Sequence, residues 1–204
     1  MFDDTKQREV LPINDPENGR HNRVHEEING VKVEVRGGKG APRFVGSSFS
    51  DCEIRLHSSG NVTPVSFRKC SFEDCLIWPA KKHTFATWDA NFAGCQFKGK
   101  YEGRFSGNLT NCDLRSATLL STQFLATDDG TNQWPAFPHI VIKDIETNIA
   151  DWRATPATAE ISVADVGPRI TAPIIVLYLP HLVDDPELLW SSVREKNYVF
   201  AEGR

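Results

Sequence analysis

The chain has 204 residues, 40% of them hydrophobic and 25% charged, with a formal net charge of −4. That is enough for one good-sized core, or one domain with an appended module, and too apolar for global disorder. The most apolar run, Ile174 to Leu179, is too short to span a bilayer, and the acidic, polar start lacks the basic and apolar regions of a secretory signal. A soluble, cytoplasmic protein is expected.

Charge is unevenly spread. Residues 1–39 carry 7 basic and 8 acidic groups, residues 40–125 carry 10 and 7, and residues 126–204 carry 6 and 12. The middle is mildly basic and the last third acidic.

Along residues 1–40, positions 1–25 read as a mobile or partner-ordered tail. Val31 to Arg36 then alternates apolar and charged side chains, the pattern of a half-buried strand, and Gly37-Gly38-Lys39-Gly40 breaks it. This strand is expected to cover the open end of the unit formed by residues 41–126.

Residues 41–126 repeat. Bulky apolar residues recur every five positions: Phe44, Phe49, Ile54; then Phe67, Phe72, Ile77; then Phe92, Phe97; then Leu109, Leu114, Leu119, Phe124. Two residues before each stands a mostly small side chain, and all five cysteines (Cys52, Cys70, Cys75, Cys95, Cys112) fall in that slot. A period of five fits neither a helix nor a strand. It suits a coil that turns a corner every five residues, the large side chain filling the centre and the small one wedged beside it. Stacked coils would repeat at about 4.8 Å, giving a column of layered Phe, Leu, Ile and Cys. The phase breaks at 54 to 67, 77 to 92 and 97 to 109 read as loops leaving the coil, with Lys82 and Thr87 at inward positions of the second. The competing arrangement is an all-β sandwich or barrel of short strands.

This pattern resembles the pentapeptide-repeat family, most closely at Ala90-Asn91-Phe92, Cys112-Asp113-Leu114-Arg115-Ser116 and Ala117-Thr118-Leu119-Leu120-Ser121. The resemblance covers about two fifths of the chain and implies a right-handed quadrilateral β-helix. The family's preference for Asp or Asn before the central residue is met only by Asn91, Asn108 and Asp113.

Residues 127–204 stop repeating. Asp128 to Asn132 reads as a turn or linker, His139 to Lys143 and Glu160 to Ala164 as short strands, and Ile174 to Leu179 as a deeply buried one. Asp184 or Asp185 should cap a helix that has Pro186 at its first position and runs to about Lys196. The fold expected overall is mainly β, a β-helix carrying a small acidic α+β C-terminal module.

Chemistry is scarce in the sequence. The cysteines lack metal-ligand spacing, and thiols in the inward slot should be inert. His83 lies near Asp89 and several hydroxyls, but without a nucleophile elbow it reads as an exposed loop histidine; His181 reads as a surface residue ahead of a helix cap. No phosphate loop is present. Neither cofactor nor metal is expected. The segment after the second run instead gathers Trp78, Lys81, Lys82, His83, Phe85 and Trp88, aromatics beside cations, which is the composition of an interface hot spot. The bland alternative is that Trp78 and Trp88 pack against the acidic C-terminal module.

These features point to a non-catalytic protein-binding protein, an inhibitor or immunity-type protein that neutralises a bacterial protein such as a toxin. Nucleic acid is a poor fit to so modest a basic excess, and a homodimer is compatible with the pattern. Topoisomerase protection by DNA mimicry, the role the resemblance suggests, needs an acidic rod and meets a basic repeat segment. A ligand-binding or enzymatic role in the C-terminal module is the third class.

Overall fold

The computed structural model describes residues 2–3, 5–14, 22–36, 42–57, 65–84, 88–127, 130–159, 161 and 172–204. Strand β1 (Val10–Asn14) precedes the first coil, formed by β2 (Asn22–Val24), β3 (Glu27–Asn29) and β4 (Lys32–Arg36). The second coil contains β5 (Arg43–Val45), β6 (Ser48–Ser50) and β7 (Glu53–His57), and the third β8 (Ser66–Glu73), β9 (Leu76–Pro79) and β10 (His83–Thr84). Strands β11 (Trp88–Ala93) and β12 (Gln96–Phe105) make the fourth, and β13 (Leu109–Thr110) with β14 (Asp113–Phe124) begins the fifth. Each strand lies parallel to its equivalent one coil away, in two sheets, so the chain forms a β-solenoid of about four turns.

Register explains the layered core. Phe49 pairs with Phe72 and Phe72 with Phe92, which in turn pairs with Leu109. The three phenyl rings lie nearly parallel, with centroids 4.6 and 4.4 Å apart. Phe44, Phe67 and Trp88 form a second column, and Ile54, Ile77 and Phe97 a third. Every residue of the period-five series is buried, as is every small partner from Pro42 to Thr122. The slot tolerates little: a Cβ on Gly107 would lie 1.6 Å from the carbonyl oxygen of Ala90.

The corners are made by left-handed residues that sit immediately before the small slot. One ladder of positive φ is Gly30, Asp51, Asp74, Gly94 and Asn111; another is His25, Gly46 and Lys69. Gly, Asp and Asn enter this region at the lowest cost and precede four of the five cysteines; Lys69 takes the same conformation before Cys70. Side length varies: Leu114, Leu119 and Phe124 keep the five-residue spacing, whereas the fourth coil runs inward through Phe97, Tyr101, Phe105 and Leu109 at a spacing of four, with Gly99 and Gly103 at positive φ inside two of those sides. The 97 to 109 break is therefore not a loop; the coil continues with shorter sides. The 77 to 92 break is likewise partly coil, with Pro79, His83 and Trp88 inward and Lys82 exposed; Thr87 lies outside the described residues.

The solenoid also begins earlier than expected. Residues 22–36 form a full coil rather than a tail and covering strand, with Ile28, Val33 and Val35 inward and β3 and β4 paired to β6 and β7. Residues within 1–25 are ordered too: β1 pairs with β4, and Arg8 donates from Nη2 to Asp51 Oδ1 at 2.5 Å while its guanidinium covers the Phe2 ring. Gly37 to Gly40 lie outside the described residues.

After the coils come β15 (His139–Lys143), α1 (Ile145–Ala154), α2 (Pro156–Ala159), β16 (Ile174–Tyr178), α3 (Pro186–Val193) and β17 (Val199–Phe200). Asp185 caps α3, its side chain accepting from Leu188 N at 3.0 Å. Strand β16 pairs antiparallel with β14 and β15 with β16, so the solenoid sheet continues into the C-terminal part. Alternation along these strands divides two cores: Val141, Ile174 and Val176 join the solenoid cluster, whereas Ile140, Ile142, Ile175 and Leu177 join the helices. Helix α1 has no counterpart among the elements expected from the sequence. Of the expected strand at 160–164 only Ile161, a buried residue, is described.

Candidate interaction surface

The six residues of the aromatic-basic segment separate. His83 and Trp88 are 3% and 1% exposed and belong to the core, not to a surface. Trp88 stands on Phe67, with ring centroids 5.1 Å apart, and its Nε1 donates to His83 Nε2 at 2.9 Å. Counting in fives from Ile77 misses this, whereas one coil on from Phe67 arrives at Trp88. His83 is thus a buried acceptor rather than an exposed loop histidine; desolvation pushes its pKa down to about 4, against a backbone hydrogen bond to Val65. Asp89 faces outward, so no His–Asp pair forms. Phe85 lies outside the described residues.

Trp78, Lys81 and Lys82 remain outside, Trp78 being 40% exposed. Nor does Trp78 pack on the C-terminal part: it lies beside Arg55 in the parallel register, and the guanidinium covers its ring at 4.7 Å. Glu53 holds that guanidinium at 2.6 Å, and Lys82 pairs with Glu102 at 2.5 Å. Because Phe97 pairs with Ile77, Lys98 follows Trp78 on the next coil and Lys100 extends the same strand. Among the described residues, Lys81, Lys98 and Lys100 have no acidic partner. The sequence grouped Lys81 and Lys82 with Trp78 by proximity. It missed Arg55, Lys98 and Lys100, which only the stacking of coils brings there.

The thiols form a different kind of structure. All five are free and buried. Each donates to the carbonyl two residues back, at 3.1 Å for Cys52 to Ser50 and 3.2 Å for Cys75 to Glu73. Cys52, Cys75, Cys95 and Cys112 stack one per coil, with the Cys75 amide donating to Cys95 Sγ at 3.4 Å. Asn132 takes the next position and ends the ladder: its Oδ1 accepts from Cys112 N at 2.9 Å and its Nδ2 donates to Leu109 O at 3.1 Å. The expected linker at 128–132 therefore closes the corner at its last residue. Burial pushes the Cys70 and Cys95 thiols up, and the hydrogen bond to Cys75 raises Cys52. Among the described residues no cluster of His, Cys, Asp and Glu could hold a metal ion, and no helix is long and apolar enough to cross a membrane.

The fold and this face define a β-solenoid protein with one aromatic-basic sheet face. No protein-family model matches the chain, and comparisons with curated proteins and with solved structures returned no match.

Proposed function

We propose that the protein is a non-catalytic, cytoplasmic protein-binding solenoid of the inhibitor or immunity type, neutralising a bacterial protein such as a toxin, and that its five-residue sides are of the pentapeptide-repeat kind. One observation carries this reading. The five thiols and the His83 ring are consumed in packing, while Trp78 stands exposed on a rigid sheet under a clamped guanidinium. Such a side chain contributes most to an organism as a binding anchor. DNA mimicry is the weaker reading, because the coils around Trp78 present cations rather than carboxylates.

The test is co-expression with toxin-domain proteins encoded beside the gene. Restored growth with the wild-type chain, lost with Trp78→Ala at equal abundance, supports the reading. Equal rescue by both chains moves the binding site elsewhere, and failure to rescue against any of them sinks the immunity role.

A further inference from the structure

The two outer sheet faces of the solenoid differ in a way that specifies the partner. On the face built by β6, β8, β11 and β13 the outward side chains are mostly short and neutral, with Ser48, Ser71 and Asn91 in one row and Ser50, Ala93 and Thr110 in the next, where Glu73 interrupts. The charges along β8 and β11 are mixed, Arg68 and Lys69 against Glu73 and Asp89. This face offers neither an anchor nor a charge of consistent sign. On the side that carries Ile54, Ile77 and Phe97 inward, Arg55, Trp78 and Lys98 point out; on the adjoining side Lys82 and Lys100 stand just before His83 and Tyr101, with Lys81 just beyond β9. Five cations there meet two carboxylates, Glu53 and Glu102, each engaged by one of them.

We infer that this face docks an acidic protein surface, with Trp78 as the buried anchor and Lys81, Lys98 and Lys100 as the charges that the partner's carboxylates neutralise; the inference rests on the protein-binding reading above. Positive charge on one face alone steers an acidic partner to that face and repels a basic one. Neighbouring strands hold the side chains at a spacing of about 4.8 Å, so little order is lost on docking. Arg55 is restrained by Glu53 and sits over the indole at 4.7 Å, which restrains the anchor. Single-stranded nucleic acid calls for successive aromatic platforms, and the positions on either side of Trp78 in its column carry Arg55 and Lys98 instead.

Of the five tryptophans only Trp78 is exposed, so acrylamide quenching of intrinsic fluorescence reads this face. Poly-L-glutamate should shield Trp78 in a salt-sensitive way, and K98E/K100E, at one half-buried and one exposed position outside the core, should weaken the effect about tenfold or more. Tighter shielding by oligo-dT, or none by polyglutamate, overturns the acidic-protein assignment. A photo-crosslinking residue placed at position 98 or at position 91 in cells that make the protein separates the partner's chemistry from protein binding itself. Adducts with acidic proteins at 98 support the inference. Adducts only at 91 overturn it and leave protein binding standing; adducts at neither position remove the protein-binding reading as well.

Discussion

In the solenoid, each buried ring rests on the equivalent ring of the next coil. Phe72 lies between Phe49 and Phe92, and the parallel strands that carry them cross no other layer. In the C-terminal part, Trp152, Leu189, Trp190 and Val193 come from helices and pack onto one face of β15 and β16. The first arrangement gains stability from contacts between adjacent coils and leaves an unpaired edge at each end. The second, through the antiparallel pairing of β16 with β14, supplies the closure that repetition alone cannot. A solenoid of this length therefore depends on the part that does not repeat.

The largest effects should separate these cores. Phe72→Ala removes a ring that is stacked on both faces and should cost about 3–5 kcal/mol in chemical denaturation. Leu189→Ala in the cap should cost about 3 kcal/mol. If β14 and β16 bind the two cores into one cooperative unit, both variants shift a single transition. A separate early transition in Leu189→Ala alone would mean that the cap opens first and that closure is weaker than the pairing suggests.

A titration divides the regions next. His83, with its pKa at about 4 in the folded chain, stays neutral where the unfolded chain, with an ordinary value near 6.5, takes up a proton. Between those values the unfolded state binds more protons, so stability falls as the pH drops from 6.5 towards 4, by about 3 kcal/mol in all. His139, also lowered by burial, adds to the loss at the junction with the cap. Replacing His83 with Asn should flatten the acid limb of a stability–pH curve; an unchanged limb would place the sensitivity elsewhere.

How much of this was legible follows from the corner geometry. Cys, Phe and Leu at five-residue intervals could be read because each occupies a slot defined by one side of the coil, and all of them are inward. The first coil could not, since Ile28, Val33 and Val35 fill it without a thiol to mark the small slot. Tyr101 and Phe105 were hidden because the sides that carry them close in four residues, around Gly99 and Gly103 at positive φ, which shifts the count. The same shift misplaced Trp88, ten residues from Trp78 but turned the opposite way. Arg55 and Lys98 are 23 and 20 residues from Trp78, distances that mean nothing until coil length is known.

The thiols let the two regions be followed separately in solution. All five lie between Cys52 and Cys112, and the cap has none, so a thiol reagent reports opening of the solenoid alone. None should label in the native state at neutral pH and all five should after denaturation, because access requires the coils to part. Cys75→Ser, which places a hydroxyl among sulfurs, should cost about 1–2 kcal/mol and advance labelling of the remaining four together. Rapid native labelling of three or more would contradict the buried ladder.

The smallest expected change concerns Trp78. Trp88→Ala should destabilise by about 3–5 kcal/mol, since the indole is enclosed by Phe67, Phe92 and Tyr101 and its N–H satisfies His83. Trp78→Ala removes an indole whose partner within the fold is the guanidinium of Arg55, an exposed cation–π contact of about 0.5–1 kcal/mol that water largely replaces. A stability change within about 0.5 kcal/mol is expected from denaturant titration. The ratio between these two variants is informative in itself. A large tryptophan that contributes almost nothing to folding, exposed where the opposite sheet sets out serine, asparagine and scattered charges, is held there by something other than stability. If Trp78→Ala instead costs as much as Trp88→Ala, that side chain is part of the fold and the binding face has to be sought elsewhere.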